Sequence, residues 1–345
     1  MGSTVRVCAG IFCRALVAMF ALIISVSLAA ACVVPEIRTD ELPSGPDDQT
    51  SIKVSVAVVD FMGVDDVGQQ LDIDFFLRMS WQDPRLAGLA GCRFKVTDVW
   101  FPQVRLLNSS NLRTAFRNAR DEVAVGENGQ ITYVQRYTGA VSSYHNLSAF
   151  PFDAHEFRID IGLTQHDINE ANFIADPSRT WISDRLNIEG WDVRDVSIET
   201  RVEFLEPAEL DLSVVTLTIS AKRQPDFYLY RIMLLLTFVV GMSWVIFWVP
   251  PSRFEFQIGI GATSMLTAIA FNLAIAGQLP PVGYLTTMDK MIVWSIMLIF
   301  LSIIEALIAG RMVLAGNETR ALRLDRVCRI AFPAAFFVGW YLMAL

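Results

Sequence analysis

One stretch constrains this chain more than any other: Phe254 to Pro280, FEFQIGIGATSMLTAIAFNLAIAGQLP. After Glu255 no charged residue occurs until Asp289, and a charge-free run of that length reads as a membrane-spanning helix. A helix touching only lipid has no use for Gln257, Thr263, Ser264, Thr267 and Asn272, which are costly in hydrocarbon without a partner or water. Glu255, Gly259, Thr263, Leu266, Ala270, Leu273 and Gly277 recur at intervals of three or four residues. They therefore share one stripe of the helix. At a rise of ~1.5 Å per residue, Glu255 to Leu273 covers about 27 Å, close to the hydrocarbon thickness.

Such a stripe suits the wall of a water-filled path in a symmetric bundle. A ring of Glu255 would attract cations, a ring of Thr263 would offer hydroxyl oxygens, and a ring of Leu266 could close the path by dewetting. The stripe equally suits ordinary packing, with Gly259 and Thr263 as a small-xxx-small contact and Glu255 as an interfacial end charge. The helix alone leaves both readings open.

The rest of the chain divides into two parts. With 345 residues, 53% of them apolar, it is too long and too apolar for one soluble domain. Residues 33–224 form short alternating runs such as HEFRIDIGL and SVVTLTISA, bounded by Gly, Asp, Asn and Pro. They predict about nine or ten strands and one short helix near the start, hence an immunoglobulin-like β-sandwich. Glu127-Asn128-Gly129-Gln130 reads as a hairpin turn. Residues 225–345 predict four membrane helices, at about 227–249, 255–277, 285–310 and 322–345. Residues 1–32 carry Arg6 and Arg14, an uncharged run and a small-residue end near Ala31. They read as a signal peptide, with a lipobox at Cys32 as a variant of that reading. Residues 33–50 read as a loose segment.

Arg311, Arg320, Arg323, Arg326 and Arg329 between helices three and four, with Arg253 between helices one and two, place those loops in the cytoplasm by the positive-inside rule. The β domain is then outside, in agreement with the signal peptide, on a multi-pass protein of the plasma (inner) membrane. The net charge of −8 and the lack of a basic patch argue against nucleic acid. Of the five cysteines, Cys8, Cys13 and Cys32 lie in or beside the leader, while Cys92 and Cys328 fall in different regions, so no internal pair is evident. No CxxC, HExxH, GxSxG or phosphate-binding glycine loop occurs. Enzyme chemistry has no support, and neither a cofactor nor a metal is expected.

Six landmarks in sequence order then resemble the pentameric ligand-gated ion channels, the Cys-loop receptor superfamily, and specifically its bacterial members. They are Trp81-Gln82-Asp83-Pro84-Arg85-Leu86, Trp100-Phe101-Pro102, Phe150-Pro151-Phe152-Asp153, Arg223, Ala270-Phe271-Asn272 with Leu279-Pro280, and Arg329-Ile330-Ala331-Phe332-Pro333. The resemblance covers residues 51–345. The two positions of the name-giving disulfide hold Ser143 and Phe157, so that covalent loop is absent.

The resemblance implies a homopentamer around a central pore, with the seven stripe residues lining it and monovalent cations passing through. Gating would be coupled through Asp66, Phe152, Asp153, Arg223, Pro280 and Pro281. For the agonist, a small molecule or protons, it implies a site between subunits, with Phe76, Leu107, Tyr133, Thr164, Phe204 and Glu206 as candidates. The aromatic cage is thin, since Leu107 and Thr164 stand where aromatics are usual. Proton gating has partial support: a ring of like charges at Glu255 is a reason for altered ionisation, but Gln69 and Ala268 occupy two positions that carry sensors in proton-gated relatives. The rival readings are a membrane-anchored periplasmic binding or sensor protein without conductance, and a carboxylate-based surface hydrolase.

Overall fold

The computed structural model describes residues 32–344 apart from 35, 46–47, 117–120, 184–189, 207–208 and 277–281. The leader expected over the first residues lies outside this range, as do Gly277, Pro280 and Pro281.

The twelve described strands run β1 Thr50–Asp65, β2 Gln70–Gln82, β3 Arg93–Lys95, β4 Val104–Leu106, β5 Ser109–Phe116, β6 Glu122–Val125, β7 Gln130–Ser142, β8 Ala154–Leu163, β9 Ala171–Ala175, β10 Trp181–Ile182, β11 Trp191–Leu205 and β12 Leu210–Arg223. One sheet has the order β10-β1-β2-β7-β6-β3, with β5 also on β7 and β9 on β1, and the other has the order β11-β12-β8-β4. Alternation decides which side chains meet between them. Phe157, Ile159 and Ile161 of β8 and Leu217 and Ile219 of β12 face Val54, Phe75, Leu77 and Met79 in one core, while Arg158 between them is exposed. The strand count exceeds the expected nine or ten because β3, β4 and β10 are only two or three residues long, too short to alternate visibly. The expected short helix is a single 3-10 turn, Pro84–Leu86.

The β6–β7 turn forms where expected. Asn128 and Gly129 both take positive φ, 56° and 78°, and a Cβ at Gly129 would stand 2.2 Å from the Asp83 carbonyl oxygen. The turn therefore requires glycine there. Asp83 is buried and takes two hydrogen bonds from Arg85, from Nε and Nη2, each 2.8 Å. Arg85 Nη1 in turn donates to the carbonyls of Arg38 and Glu41. The Trp-x-Asp-x-Arg-Leu landmark is thus a brace that holds the N-terminal segment on the sandwich.

Two expectations about that segment are corrected here. Cys32 forms a disulfide with Cys92, and Ile37 and Leu42 pack against the sandwich core, so the segment is strapped down rather than loose. A thiol held in a disulfide cannot also carry a thioether lipid, which removes the lipobox. Reduction, or Cys92→Ser, is expected to lower stability by about 2–5 kcal/mol, the usual cost of losing a native disulfide. Thermal melts with and without reductant measure this. Equal melting temperatures, or an intact mass carrying a diacylglyceryl group at Cys32, would contradict the assignment.

Among the described residues, four helices are long and apolar enough to cross a membrane: α1 Asp226–Trp248, α2 Phe254–Ala276, α3 Thr287–Leu314 and α4 Glu318–Ala344. A reciprocal capping box between Thr286 and Asp289 starts α3, satisfying orphan N–H groups. Gly316, at φ 77°, closes its end, with the Gly316 and Asn317 N–H groups bonded back to Val313 and Met312. The third helix therefore runs past the expected Gly310, and the fourth begins before the expected Leu322. Arg320 therefore joins Arg323, Arg326 and Arg329 on α4 rather than lying in the loop before it. At the end of α1 the carbonyls of Ile246 and of Val249, the residue after it, accept from Gln257 Nε2, and that of Phe247 accepts from Arg329 Nε.

Candidate gating site and channel-facing helix

On α2 the side chains sort cleanly by face. Gln257, Gly261, Ser264, Ala268 and Ile275 are buried against the chain's own helices. Gly261 packs so closely that a Cβ there would stand 2.4 Å from Ile303. Glu255, Gly259, Thr263, Leu266, Ala270 and Leu273 all lie exposed on the other side, with Leu266 70% and Leu273 71% exposed. The two hydroxyls on that side are satisfied within the helix, Thr263 by the Gly259 carbonyl at 2.9 Å and Thr267 by the Thr263 carbonyl at 2.8 Å. The polar residues of this helix thus serve two ends. Gln257 and Ser264 are packing groups, while the six described stripe residues face away from the bundle.

At the other end of the membrane domain, the loop before β8 is driven into the helix bundle. Leu147 and Phe150 are fully buried in the helical core, with Phe152 packed beside them. Phe150 meets Tyr228 edge-on at 4.7 Å, its carbonyl accepts from the Met288 N–H, and the Leu147 N–H donates to the Tyr284 hydroxyl at 2.8 Å. Arg223, the last residue of β12, stands directly above. Its Nε donates to Asp153 Oδ1 at 2.8 Å, its Nη1 to Asp66 Oδ2 at 2.8 Å, and its Nη2 to Asp66 Oδ1 at 2.8 Å and Asp153 Oδ2 at 3.2 Å. The guanidinium lies between two rings, Trp191 of the sandwich core at 4.3 Å and Phe150 of the helical core at 4.8 Å. One side chain therefore links the β1–β2 turn, the β8 loop and the cores of both domains. Of the expected coupling residues, Asp66, Asp153 and Arg223 meet here and Phe152 adjoins them.

Burial opposes ionisation of Asp153, but hydrogen bonds from His155 and Arg223 outweigh it and hold the carboxyl at about 2. Burial likewise opposes ionisation of Asp66, and contacts with His145 and Arg223 bring it below the ordinary range. A carboxyl whose pKa is lower folded than unfolded stabilises the fold above the unfolded value and loses that contribution as pH falls through the folded one. With an ordinary Asp near 3.9, the Asp153 contribution is at most about 2.6 kcal/mol at neutral pH and disappears between about pH 4 and pH 2. Thermal stability is expected to fall over that window, and Asp153→Asn to flatten the fall. An unchanged acid limb in that variant would show that other carboxyls set it.

The candidate ligand residues separate into groups. Leu107 and Thr164 line one cavity of about 390 Å³ with Gln103, Arg105 and Leu205, and Phe204 at the end of β11 and Glu206 just after it lie exposed. Phe76 is on the other sheet. Its ring is covered by the Arg136 guanidinium at 5.5 Å, which pairs in turn with Asp74. Tyr133 is withdrawn from the candidates. It is buried in the sandwich core, and its hydroxyl donates to Asp121 and Gln135. Sequence reasoning missed His145 and His155, which flank the carboxylates of Asp66 and Asp153.

An outward-facing β-sandwich seated on four membrane helices, with a charged link between the domains, defines a membrane receptor of the ligand-gated type. The model of the neurotransmitter-gated ion-channel ligand binding domain matches residues 38–225. A proton-gated ion channel of Gloeobacter violaceus is 25% identical over 313 residues, covering 88% of this chain and 84% of that one. A gamma-aminobutyric acid receptor subunit beta of Lymnaea stagnalis is 22% identical over 284 residues, covering 74% of this chain and 54% of that subunit; the chain spans about half of its length. The chain belongs to the neurotransmitter-gated ion-channel family. It is a multi-pass membrane protein with an extracellular N-terminal domain, and its relatives are ligand-gated channels, not enzymes.

Proposed function

We propose that this chain forms a homopentameric, cation-conducting channel opened by an extracellular agonist. The observation that carries this reading is the exposed seam of α2, which turns Glu255, Gly259, Thr263, Leu266, Ala270 and Leu273 away from the chain's own helices. Five copies around an axis turn that seam into a pore, with the carboxylate at the cytoplasmic mouth and the leucines as the apolar constriction. A groove of about 520 Å³ runs along the seam, lined by its own Glu255, Gly259 and Thr263 together with Met242, Val245, Phe256 and Ile260; lipid covers the outer faces. Gly277 belongs to the same proposed lining, and Pro280 and Pro281 to the loop that receives the push from the β domain.

Agonist binding at the cavity beside Leu107 and Thr164 would move the sandwich, and Arg223 with Asp66, Asp153 and Phe152 would carry the motion to the helices. Because Arg136 already occupies the face of Phe76, an aromatic cage for an organic cation is a poor fit. A small polar agonist or the proton suits the site better. Gating by protons is supported by the Gloeobacter relative, whose name is that of a proton-gated ion channel.

Reconstitution in planar bilayers tests the reading. Discrete currents that reverse near the cation equilibrium potential in asymmetric salt are expected under agonist or acid. Membranes that hold the assembled protein yet stay silent in a ligand and pH screen would favour the non-conducting sensor instead.

A further inference from the structure

Two histidines flank the Arg223 triad, and each approaches one of the two carboxylate oxygens that Arg223 Nη2 holds. His155 Nε2 lies 2.5 Å from Asp153 Oδ2, the oxygen to which Nη2 donates at 3.2 Å. His145 Nε2 stands 3.6 Å from Asp66 Oδ1, the oxygen to which Nη2 donates at 2.8 Å. The two imidazoles are neighbours, with ring centroids 4.8 Å apart. His145 is buried, and neither of its ring nitrogens has a hydrogen-bond partner. Buried polar groups are normally satisfied, so an orphan imidazole beside a carboxylate is a group in need of a charge partner. Both rings line a cavity of about 530 Å³ with Asn108, Tyr144, Glu156 and Arg158, and the exposed Tyr144 places that cavity at the outer surface.

We propose that His145 and His155 together form a binding site for one proton, reached from the outside through this cavity, and that its occupancy weakens the hold of Arg223 Nη2 on Asp66 and Asp153. The inference rests on the reading of Arg223 as the coupling residue. With neutral imidazoles the triad carries two negative charges against one positive, so a first proton is electrostatically welcome. A second is opposed by the first across the short ring separation. A protonated His145 needs to move by less than 1 Å to reach hydrogen-bond distance from Asp66 Oδ1, and there it competes with Nη2 for the same atom. At Asp153 Oδ2 the His155 ring already holds its hydrogen bond, and a charge on that ring strengthens it against Nη2. Arg223 keeps its Nε and Nη1 bonds throughout.

The charged groups around the pair are few. Asp66 comes from the β1–β2 turn, Asp153 from the loop before β8, and Arg223 from the end of β12. Glu156, Arg158 and Asp160 of β8 lie at the cavity, with Glu156 and Arg158 paired at 3.1 Å. Lys222 lies opposite Ala154 across the sheet. From β8 and β11, the uncharged rings of Phe157 and Trp191 face the imidazoles. Imidazole is the side chain whose ordinary titration falls within roughly pH 5 to 8, which sets the range to be scanned.

The full-length protein, labelled on histidine and held in nanodiscs, provides the direct test by NMR between pH 8 and pH 5, with His166 as the internal reference. One proton is expected to be taken up jointly by His145 and His155, seen as a coupled change in both rings. In bilayers, the open probability of the wild type is expected to change at least threefold between pH 7.5 and pH 5.5, and His145→Gln with His155→Gln to flatten that change. If neither ring titrates, or if the double variant keeps the wild-type pH response, the proposal fails. If no variant or wild type conducts at all while the rings still titrate together, the proton site stands and the channel reading falls.

Discussion

Arg223→Ala is expected to leave assembled protein in the membrane and to abolish agonist-evoked current. The substitution removes the two contacts from Nη2, the Nε bond to Asp153 and the Nη1 bond to Asp66, together with the stacking on Trp191 and Phe150. It leaves the buried Asp153 and the half-buried Asp66 without their guanidinium. Removing one partner of a buried ion pair typically costs about 3–5 kcal/mol. Since about 1.4 kcal/mol is tenfold in an equilibrium constant, this exceeds what a two-state gating equilibrium can absorb without collapsing to one side.

The sandwich core does not depend on Arg223, because its apolar cluster lies between the sheets. The peak of assembled protein in size-exclusion chromatography should therefore survive. Arg223→Lys tests the geometry separately from the charge, since an ammonium cannot fork across two carboxylates, and a strongly reduced current is expected. A double-mutant cycle of Arg223→Lys with Asp66→Asn should give a coupling energy above about 1 kcal/mol. Wild-type currents from Arg223→Ala at normal abundance would reduce the triad to a static brace.

The residues of that triad show what a sequence can and cannot display. Asp66, Asp153 and Arg223 are far apart along the chain, and nothing in their local pattern joins them. Only the family's ordered landmarks suggested their meeting. The α2 stripe, by contrast, was readable from spacing alone, because helical period is a local property and both faces of the helix are written in one short segment. The Asn128–Gly129 turn was readable for the same reason, since its positive φ values are a demand on two adjacent residues.

What failed to show was non-local or too short. The Cys32–Cys92 pairing depends on the path of the N-terminal strap, which is fixed by Arg85 reaching backbone carbonyls far earlier in the chain. Strands of two or three residues carry no alternation. The start of α4 was expected at Leu322 rather than Glu318 because Glu318 and Arg320 carry charge, although the arginines from Arg320 to Arg329 are spaced by three, which is helical. His145 and His155 looked unrelated because a loop of nine intervening residues must fold into the helix bundle before they can face each other.

Glu255→Ala is expected to lower the preference for cations over anions at least tenfold. Glu255 lies exposed in the first turn of α2, where a helix presents the positive end of its dipole. Without the carboxylate, five such ends would converge on the inner mouth and favour anions. With it, each subunit contributes about 1 kcal/mol of attraction for a monovalent cation at ~4 Å in water, and an equal repulsion for an anion. No other described position on the seam is charged: Gly259, Thr263, Leu266, Ala270 and Leu273 can alter conductance and gating but not the sign of the field. Even a loss of about 1.4 kcal/mol in the cation-to-anion difference amounts to the tenfold change.

Glu255→Gln keeps the size and removes the charge, so it should behave as the alanine variant does, whereas Glu255→Lys should invert selectivity. Reversal potentials under a salt gradient read all three variants. Cysteines at Thr263 and Leu266 provide the independent check, because a water-borne thiol reagent should block current through them and leave a cysteine at buried Ala268 untouched. A wild-type reversal potential in Glu255→Ala, with Thr263 and Leu266 cysteines that never react, would turn this face of α2 toward lipid or a neighbouring helix and remove it from the ion path.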